Sequence, residues 1–83
     1  MLQFYYGKEC DHCERMKPLV AQLEKEFSVT FERYEIWHDE NNRGKFDSYA
    51  KDVCPGVPFL YNTETKKFIC GESSYEELKI LVQ

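Results

Sequence analysis

The chain has 83 residues, a formal net charge of −4 at pH 7 and a hydrophobic fraction of 42%, which is enough apolar material for one small core. The acidic balance and the lack of a basic stripe argue against binding to nucleic acid or to an anionic membrane surface. No apolar run approaches the roughly 18 residues of a membrane span, and no signal-peptide pattern precedes the first apolar run. We expect a single domain over residues 1–83 that is cytoplasmic and monomeric.

Hydrophobic periodicity predicts an alternation of strands and helices. Residues 2–6 are apolar almost throughout, as in a buried central strand. From Asp11 to about Phe27, apolar residues recur at helical spacing, and residues 29–37 alternate like a second strand. The remaining predicted elements are a helix over about residues 43–52 capped by Asn41 or Asn42, a strand over 57–61, its hairpin partner over 66–70, and a last helix capped by Ser73 or Ser74.

This order of elements predicts a mixed sheet. A helix after each of the first two strands implies parallel crossover connections. The terminal hairpin then adds antiparallel strands to the same sheet. The fold class is therefore α/β, in the order β-α-β-α-β-β-α.

The segment Cys10-Asp11-His12-Cys13 lies between the first strand and the first helix. The unpaired N–H groups at the start of a helix carry partial positive charge, which favours a thiolate, and the thiolate is the reactive form of cysteine. Two sulfurs three residues apart in a first turn can close a small disulfide and open it again. In a reducing compartment this motif indicates redox or metal chemistry and not a structural cross-link.

With these elements in place, the sequence resembles the thioredoxin/glutaredoxin superfamily over nearly its whole length. The resemblance implies a small, glutaredoxin-sized thioredoxin-like fold, with a four-stranded mixed sheet flanked by helices on both faces. The motifs that carry the resemblance are the strand–Cys10-x-x-Cys13–helix opening, Pro18 five residues after the second cysteine, the segment Gly56-Val57-Pro58, and Gly71 before a Ser-rich helix cap.

The resemblance also implies an activity and a site. The chain would be a protein-disulfide oxidoreductase without a cofactor, whose redox centre is the Cys10–Cys13 pair. Cys10 is expected to attack a substrate disulfide, and Cys13 to resolve the mixed disulfide that results. Val57, Pro58 and Gly71 are expected to bind substrate, with a cis bond before Pro58 and with the backbone of Val57 pairing with an extended peptide.

Charged neighbours of the cysteines are candidates for tuning the redox potential. Protonated His12 favours the Cys10 thiolate, whereas Asp11 and Glu9 disfavour it, and Lys8 offsets one of these anions. The sum of these effects has no sign that the sequence alone determines. The alternative for His12 is an exposed loop residue without a tuning role.

Two further cysteines, Cys54 and Cys70, stand outside the motif. We interpret both as small core hydrophobes, as free cysteines commonly are. As alternatives, Cys70 would lie near Pro58 and form an alternative disulfide or be oxidised, and Cys54 would cross-link two chains. A zinc site would use the four cysteines and His12, but only one cysteine pair is close in sequence, so we predict no metal.

Three functions follow in order of preference. The first is reversible dithiol/disulfide exchange with disulfide-containing protein substrates, with a reductase or glutathione as electron donor. The second is a glutathione-dependent glutaredoxin, and the third is a non-catalytic module that binds a metal or a protein partner. Glutaredoxins have Thr before the cis-proline and Gly-Gly after the last strand, where this chain has Val57 and Gly71-Glu72. We therefore rank protein-disulfide exchange first.

Overall fold

A computed structural model describes all 83 residues. The order of its elements is the predicted order β-α-β-α-β-β-α, with one short 3₁₀ turn added at the end. In chain order the elements are β1 (Leu2–Tyr6), α1 (Asp11–Phe27), β2 (Phe31–Glu35), α2 (Glu40–Ala50), β3 (Phe59–Asn62), β4 (Phe68–Cys70), α3 (Tyr75–Leu78) and the 3₁₀ turn (Lys79–Leu81).

The four strands form one mixed sheet, as predicted, and their order in it is β2-β1-β3-β4. Strand β1 runs parallel to β2 and antiparallel to β3, and β3 runs antiparallel to β4. In this register Tyr5 lies opposite Phe59, so the end of β1 meets the start of β3. The segment after β1, which carries the cysteine motif, is therefore brought next to the segment that carries Pro58.

Helices cover both faces of the sheet, as the resemblance implies. Successive side chains of a strand point to opposite faces, and β1 shows this with Phe4 and Tyr5, both fully buried. Phe4 packs in one cluster with Met16 of α1 and with residues of α3. Tyr5 packs in a second cluster with Phe46 of α2. Burying each of these large side chains contributes about 1.5–3 kcal/mol to stability.

Strand β2 is shorter than the predicted range 29–37 because side-chain and capping interactions end it on both sides. Ser28 adopts the left-handed conformation that ends α1, and the N–H of Val29 still donates to the carbonyl of Glu24. At the other end, the carboxylate of Glu35 accepts hydrogen bonds from the N–H groups of Trp37 and His38. The chain therefore turns directly after Glu35.

Helix α2 begins three residues earlier than predicted, at Glu40, and its cap is neither Asn41 nor Asn42. The cap is Asp39, whose side chain accepts a hydrogen bond from the N–H of Asn42 at 3.0 Å. An aspartate cap also complements the positive end of the helix dipole. The polar run before the helix held several candidate caps, and the choice among them was wrong.

The terminal hairpin is shorter than predicted, and the last helix begins as predicted. Val57 and Pro58 lie before β3 and not within it, in keeping with the missing N–H of proline. Ser74 caps α3 and forms a complete capping box with Glu77. The loop between β4 and α3 therefore comprises residues 71–74.

Candidate active site

Cys10 occupies the N-cap position of α1. Its Sγ accepts a hydrogen bond from the N–H of Cys13 at 3.1 Å, and its carbonyl accepts one from the N–H of Glu14 at 3.0 Å. The sulfur atoms of Cys10 and Cys13 form a disulfide, with the two Cα atoms 5.2 Å apart. When the disulfide opens, the Cys10 sulfur faces the unpaired N–H groups of the first turn, which stabilise a thiolate.

The two cysteines of this pair differ in exposure. Cys13 is completely buried, whereas Cys10 retains 6% of its surface. An incoming sulfur can therefore reach Cys10 and not Cys13. This asymmetry fits the predicted roles of Cys10 as nucleophile and Cys13 as resolving cysteine.

The turn before Cys10 is covered by an aromatic ring. The N–H of Cys10 donates to the carbonyl of Gly7 at 3.1 Å, and the ring of Trp37 lies directly on Gly7. A Cβ atom at position 7 would collide with that ring, so only glycine fits there. Trp37 was expected at the end of a strand, but it lies after β2 with its ring on this turn and 48% of its surface exposed.

Three hydrogen bonds to one carboxylate hold the same turn in place. The carboxylate of Glu35 accepts the N–H of Lys8 at 2.9 Å, in addition to those of Trp37 and His38. Desolvation opposes the charged form, but the three N–H groups prevail and lower the pKa of Glu35. Glu35 therefore ties the segment before the disulfide to the segment after β2.

The residue directly before Cys10 forms an ion pair that no sequence pattern indicated. The Nε2 atom of His38 lies 2.7 Å from Oε1 of Glu9. This hydrogen bond, together with the negative charge of Glu9, raises the pKa of His38. Protonated His38 thus offsets an anion that would otherwise oppose a thiolate at Cys10.

His12 faces a carboxylate and an arginine, and no hydrogen bond joins it to a sulfur. Its Nδ1 atom lies 2.8 Å from Oε1 of Glu72 and 2.8 Å from Nη2 of Arg15. Arg15 also donates from Nε to both oxygens of Glu72, at 3.1 and 3.0 Å. The hydrogen bonds from Arg15 and then from His12 lower the pKa of Glu72 to about 2. Arg15 and Glu72 are site residues that sequence reasoning missed.

The other predicted tuning residues have no comparable anchor. Lys8 and Asp11 are exposed, and Lys8 is held only through its backbone N–H. Charges this accessible to solvent interact weakly over distance because water screens them.

The structure brings the three predicted substrate-binding residues together. The peptide bond between Val57 and Pro58 is cis, as the resemblance implies. The carbonyl of Pro58 accepts the N–H of Gly71 at 2.8 Å, and Gly71 has a φ of 91°, a conformation that favours glycine. The half-buried Val57 uses neither its N–H nor its C=O in a hydrogen bond within the protein. These two groups are free to pair with another chain.

Cys54 and Cys70 form a second disulfide, which corrects their interpretation as free core hydrophobes. Cys54 is buried in the second core cluster, as expected, but it is bonded to the exposed Cys70, with Cα atoms 5.6 Å apart. Cys70 thus forms a disulfide, as one alternative had it, and Cys54 is bonded within the chain instead of to a second chain. The residues that line a cavity of about 200 Å³ beside this bond are Cys54, Pro55, Gly56, Val57, Cys70 and Gly71.

Two other features bear on the alternatives. The structure brings together no group of three or more His, Cys, Asp or Glu side chains suited to a metal ion. None of its helices has the length and apolar character required to cross a bilayer.

Comparison with solved structures identifies the fold. Thioredoxin 1 from the thermophilic eubacterium Thermosipho africanus superimposes with a TM-score of 0.73 at 15% identity, covering 98% of this chain and 88% of that one. A mutant of a thioredoxin-like protein gives 0.66 at 18% identity, over 98% and 92% of the two chains. The glutaredoxin from Archaeoglobus fulgidus gives 0.62 at 24% identity, over 99% and 85%. No family model and no curated protein matches the sequence. The chain therefore has the thioredoxin/glutaredoxin fold, as predicted.

Proposed function

We propose that this protein is a thiol–disulfide oxidoreductase that exchanges electrons with disulfides of other proteins. The observation that carries the proposal is the disulfide-bonded pair Cys10 and Cys13 at the N-terminus of α1, of which only Cys10 keeps some exposed surface. The fold shared with thioredoxins and glutaredoxins supports this function. The ion pair of Glu9 with His38 supports it too, because it offsets the anion directly before Cys10.

The reaction conserves atoms and electrons in two steps. The Cys10 thiolate attacks one sulfur of the substrate disulfide, forming a mixed disulfide and releasing the other substrate sulfur as a thiolate that takes up a proton. Cys13 then loses its proton and attacks the Cys10 sulfur, which releases the second substrate thiol. The substrate gains two electrons and two protons, and Cys10–Cys13 becomes a disulfide. The reverse sequence oxidises a dithiol substrate.

The substrate is proposed to bind as an extended segment along the surface beside Val57. Strand addition of this kind requires an unpaired backbone N–H and C=O, and Val57 offers both. The exposed ring of Trp37 stands beside the turn that precedes Cys10 and offers apolar contact area to the same substrate. The electron donor is proposed to be a reductase or glutathione.

Reduction of insulin in the presence of dithiothreitol tests the proposal. The wild-type protein should accelerate precipitation of the insulin B chain, and the double variant Cys10→Ser with Cys13→Ser should not exceed the rate of dithiothreitol alone. Thermal unfolding of the oxidised double variant serves as the folding control. Activity that survives in the double variant would refute the proposal.

The choice of electron donor separates this function from the glutaredoxin alternative. Regeneration of Cys10–Cys13 thiols by glutathione alone, at a rate sufficient for turnover, would favour the glutaredoxin reading. Regeneration only by an NADPH-driven reductase would favour protein-disulfide exchange of the thioredoxin kind.

A further inference from the structure

The second disulfide joins the two chain segments that border the proposed substrate surface. Cys54 lies three residues before Val57, and Cys70 directly precedes Gly71, which pairs with Pro58. The bond therefore links the segment that leads into Val57 to the segment that leads into Gly71. Neither the N–H nor the C=O of Val57 forms a hydrogen bond within the protein.

The chemical surroundings of this bond are opposite to those of the Cys10–Cys13 bond. Cys54 follows the carboxyl end of α2, where its N–H donates to the carbonyl of Ala50 at 2.9 Å. The negative end of a helix dipole disfavours a thiolate, as does the burial of Cys54. The Sγ of Cys54 also lies 3.1 Å from the carbonyl oxygen of Gly56, which would accept a hydrogen bond from a neutral thiol and repel a thiolate.

The length of the loop that each bond closes also makes the Cys54–Cys70 disulfide more stable than the Cys10–Cys13 disulfide. Cys54 and Cys70 are 16 positions apart, whereas the motif cysteines are three apart. Closing the longer loop restricts the unfolded chain more, so the native bond is worth more. The β3–β4 pairing already places Cys70 opposite Phe59 and so keeps the two sulfurs close after reduction.

We propose that Cys54–Cys70 is a second disulfide that stays closed while Cys10–Cys13 cycles, and that its closure positions Val57 for the backbone of the substrate. This inference rests on the proposed function and names the element that sets its substrate affinity. Cys54 and Cys70 are positioning residues, since they act through Val57 and not on the reacting sulfurs.

The bond opens by a balanced exchange when a sufficiently strong dithiol is present. One thiolate of the dithiol attacks the exposed Cys70 sulfur, and the Cys54 sulfur leaves and takes up a proton. The second thiolate of the reagent closes it into a ring and releases Cys70. The protein gains two electrons and two protons, and the dithiol becomes a disulfide.

A redox titration with site mapping tests the first half of the inference. The wild-type protein is equilibrated with reduced and oxidised dithiothreitol, alkylated and digested, and each cysteine is quantified by mass spectrometry. Cys10 and Cys13 should become labelled at a ratio of reduced to oxidised reagent at least about tenfold lower than Cys54 and Cys70. Coincident or reversed labelling, or free Cys54 and Cys70 in the oxidised protein, would overturn it.

A comparison of kinetic constants tests the second half. Cys70→Ser removes the bond at an exposed position and leaves the buried Cys54 in the core. The KM for a protein disulfide should rise about fivefold, while kcat and the rate with a small aromatic disulfide stay unchanged, because only the protein substrate uses Val57. The double variant Cys54→Ala with Cys70→Ser should give the same increase, which excludes an effect of the stray thiol.

The outcomes separate this inference from the proposed function. An unchanged KM in both variants would overturn the positioning role, with the function of Cys10 and Cys13 intact. Equal losses for protein and small substrates in both variants would also overturn it, because a loosened active site and not the substrate surface would then be the cause. Failure of the proposed function would appear instead in the wild-type protein, as no turnover above the reagent alone.

Discussion

The Nδ1 atom of His12 lies 2.8 Å from Oε1 of Glu72, a residue 60 positions further along the chain. His12 stands between the two cysteines, and Glu72 lies in the segment between β4 and α3. Arg15, one turn further along α1, donates to the same carboxylate. The carboxylate of Glu72 therefore anchors the motif to the edge of the sheet, and this anchor fixes the position of the His12 ring.

Replacing Glu72 by Gln should change the pH dependence of stability. The pKa of Glu72 is lowered to about 2 in the folded protein, so its ion pairs stabilise the fold fully above its ordinary value of 4.5. This stabilisation is lost as pH falls from about 4.5 towards 2, where the carboxyl becomes neutral like the Gln side chain. The difference in unfolding free energy between wild type and Glu72→Gln should shrink over this window, as measured by urea denaturation.

Glu76→Gln is the matched control for that experiment. Glu76 is exposed and pairs only with Lys79 in its own helical segment. The substitution Glu76→Gln therefore removes one negative charge, as Glu72→Gln does, without affecting the motif. Parallel stability profiles for wild type and Glu72→Gln between pH 2.5 and 6 would contradict the proposed anchor.

Replacing His38 by Gln should lower the redox potential of Cys10–Cys13 at mildly acidic pH. The pKa of His38 is raised by Glu9, so below that pKa the protonated ring offsets the anion beside Cys10. Above it the ring is neutral, and wild type and variant carry the same charge. We expect the variant to be more reducing by roughly 10–20 mV at pH 6 and equal to wild type at pH 9, since exposed pairs are weak.

Equilibration with glutathione redox buffers at both pH values measures this difference. In a Glu9→Gln background, replacing His38 by Gln should no longer change the redox potential, because this background has no anion for His38 to offset. A difference that persists unchanged at pH 9 would show that His38 acts by some route other than its charge.

Gly7→Ala should destabilise the protein through a collision with Trp37. The added Cβ atom would enter the space of the indole ring, and relieving such an overlap costs about 1–3 kcal/mol. In a Trp37→Ala background the same substitution should cost much less, because the ring is gone. Denaturant unfolding of the four proteins completes a double-mutant cycle. An equal cost in both backgrounds would place the constraint on Gly7 in its backbone and not in the ring.

The fold could be predicted because the sequence patterns that indicate it are local. The helical spacing from Asp11 to Phe27 and the strand–cysteine–helix order can be read from neighbouring residues, and both appear in the structure with the predicted order. The start of α2 was misplaced because Asp39 competes with two nearby asparagines for the same capping role. Such choices depend on which N–H a side chain reaches, which sequence spacing leaves open.

The parts of the site that were missed depend on contacts between distant segments. Nothing in the sequence relates Glu72 to His12, because their contact arises only when α1 and the β4–α3 segment pack together. The Cys54–Cys70 bond follows likewise from the β3–β4 register, and four cysteines alone permit three pairings. The β4 strand places Cys70 within reach of the loop before β3, a juxtaposition that needs the folded hairpin.

Trapping the mixed disulfide tests most directly whether Cys10 is the attacking sulfur. The reduced variant Cys13→Ser is mixed with a disulfide-containing protein, quenched with acid and analysed by mass spectrometry, beside the matched variant Cys10→Ser. Cys13→Ser should accumulate one covalent complex per chain, linked through Cys10 and released by dithiothreitol, whereas Cys10→Ser should accumulate none. A complex linked through Cys54 or Cys70, or equal yields from the two variants, would contradict the proposed chemistry.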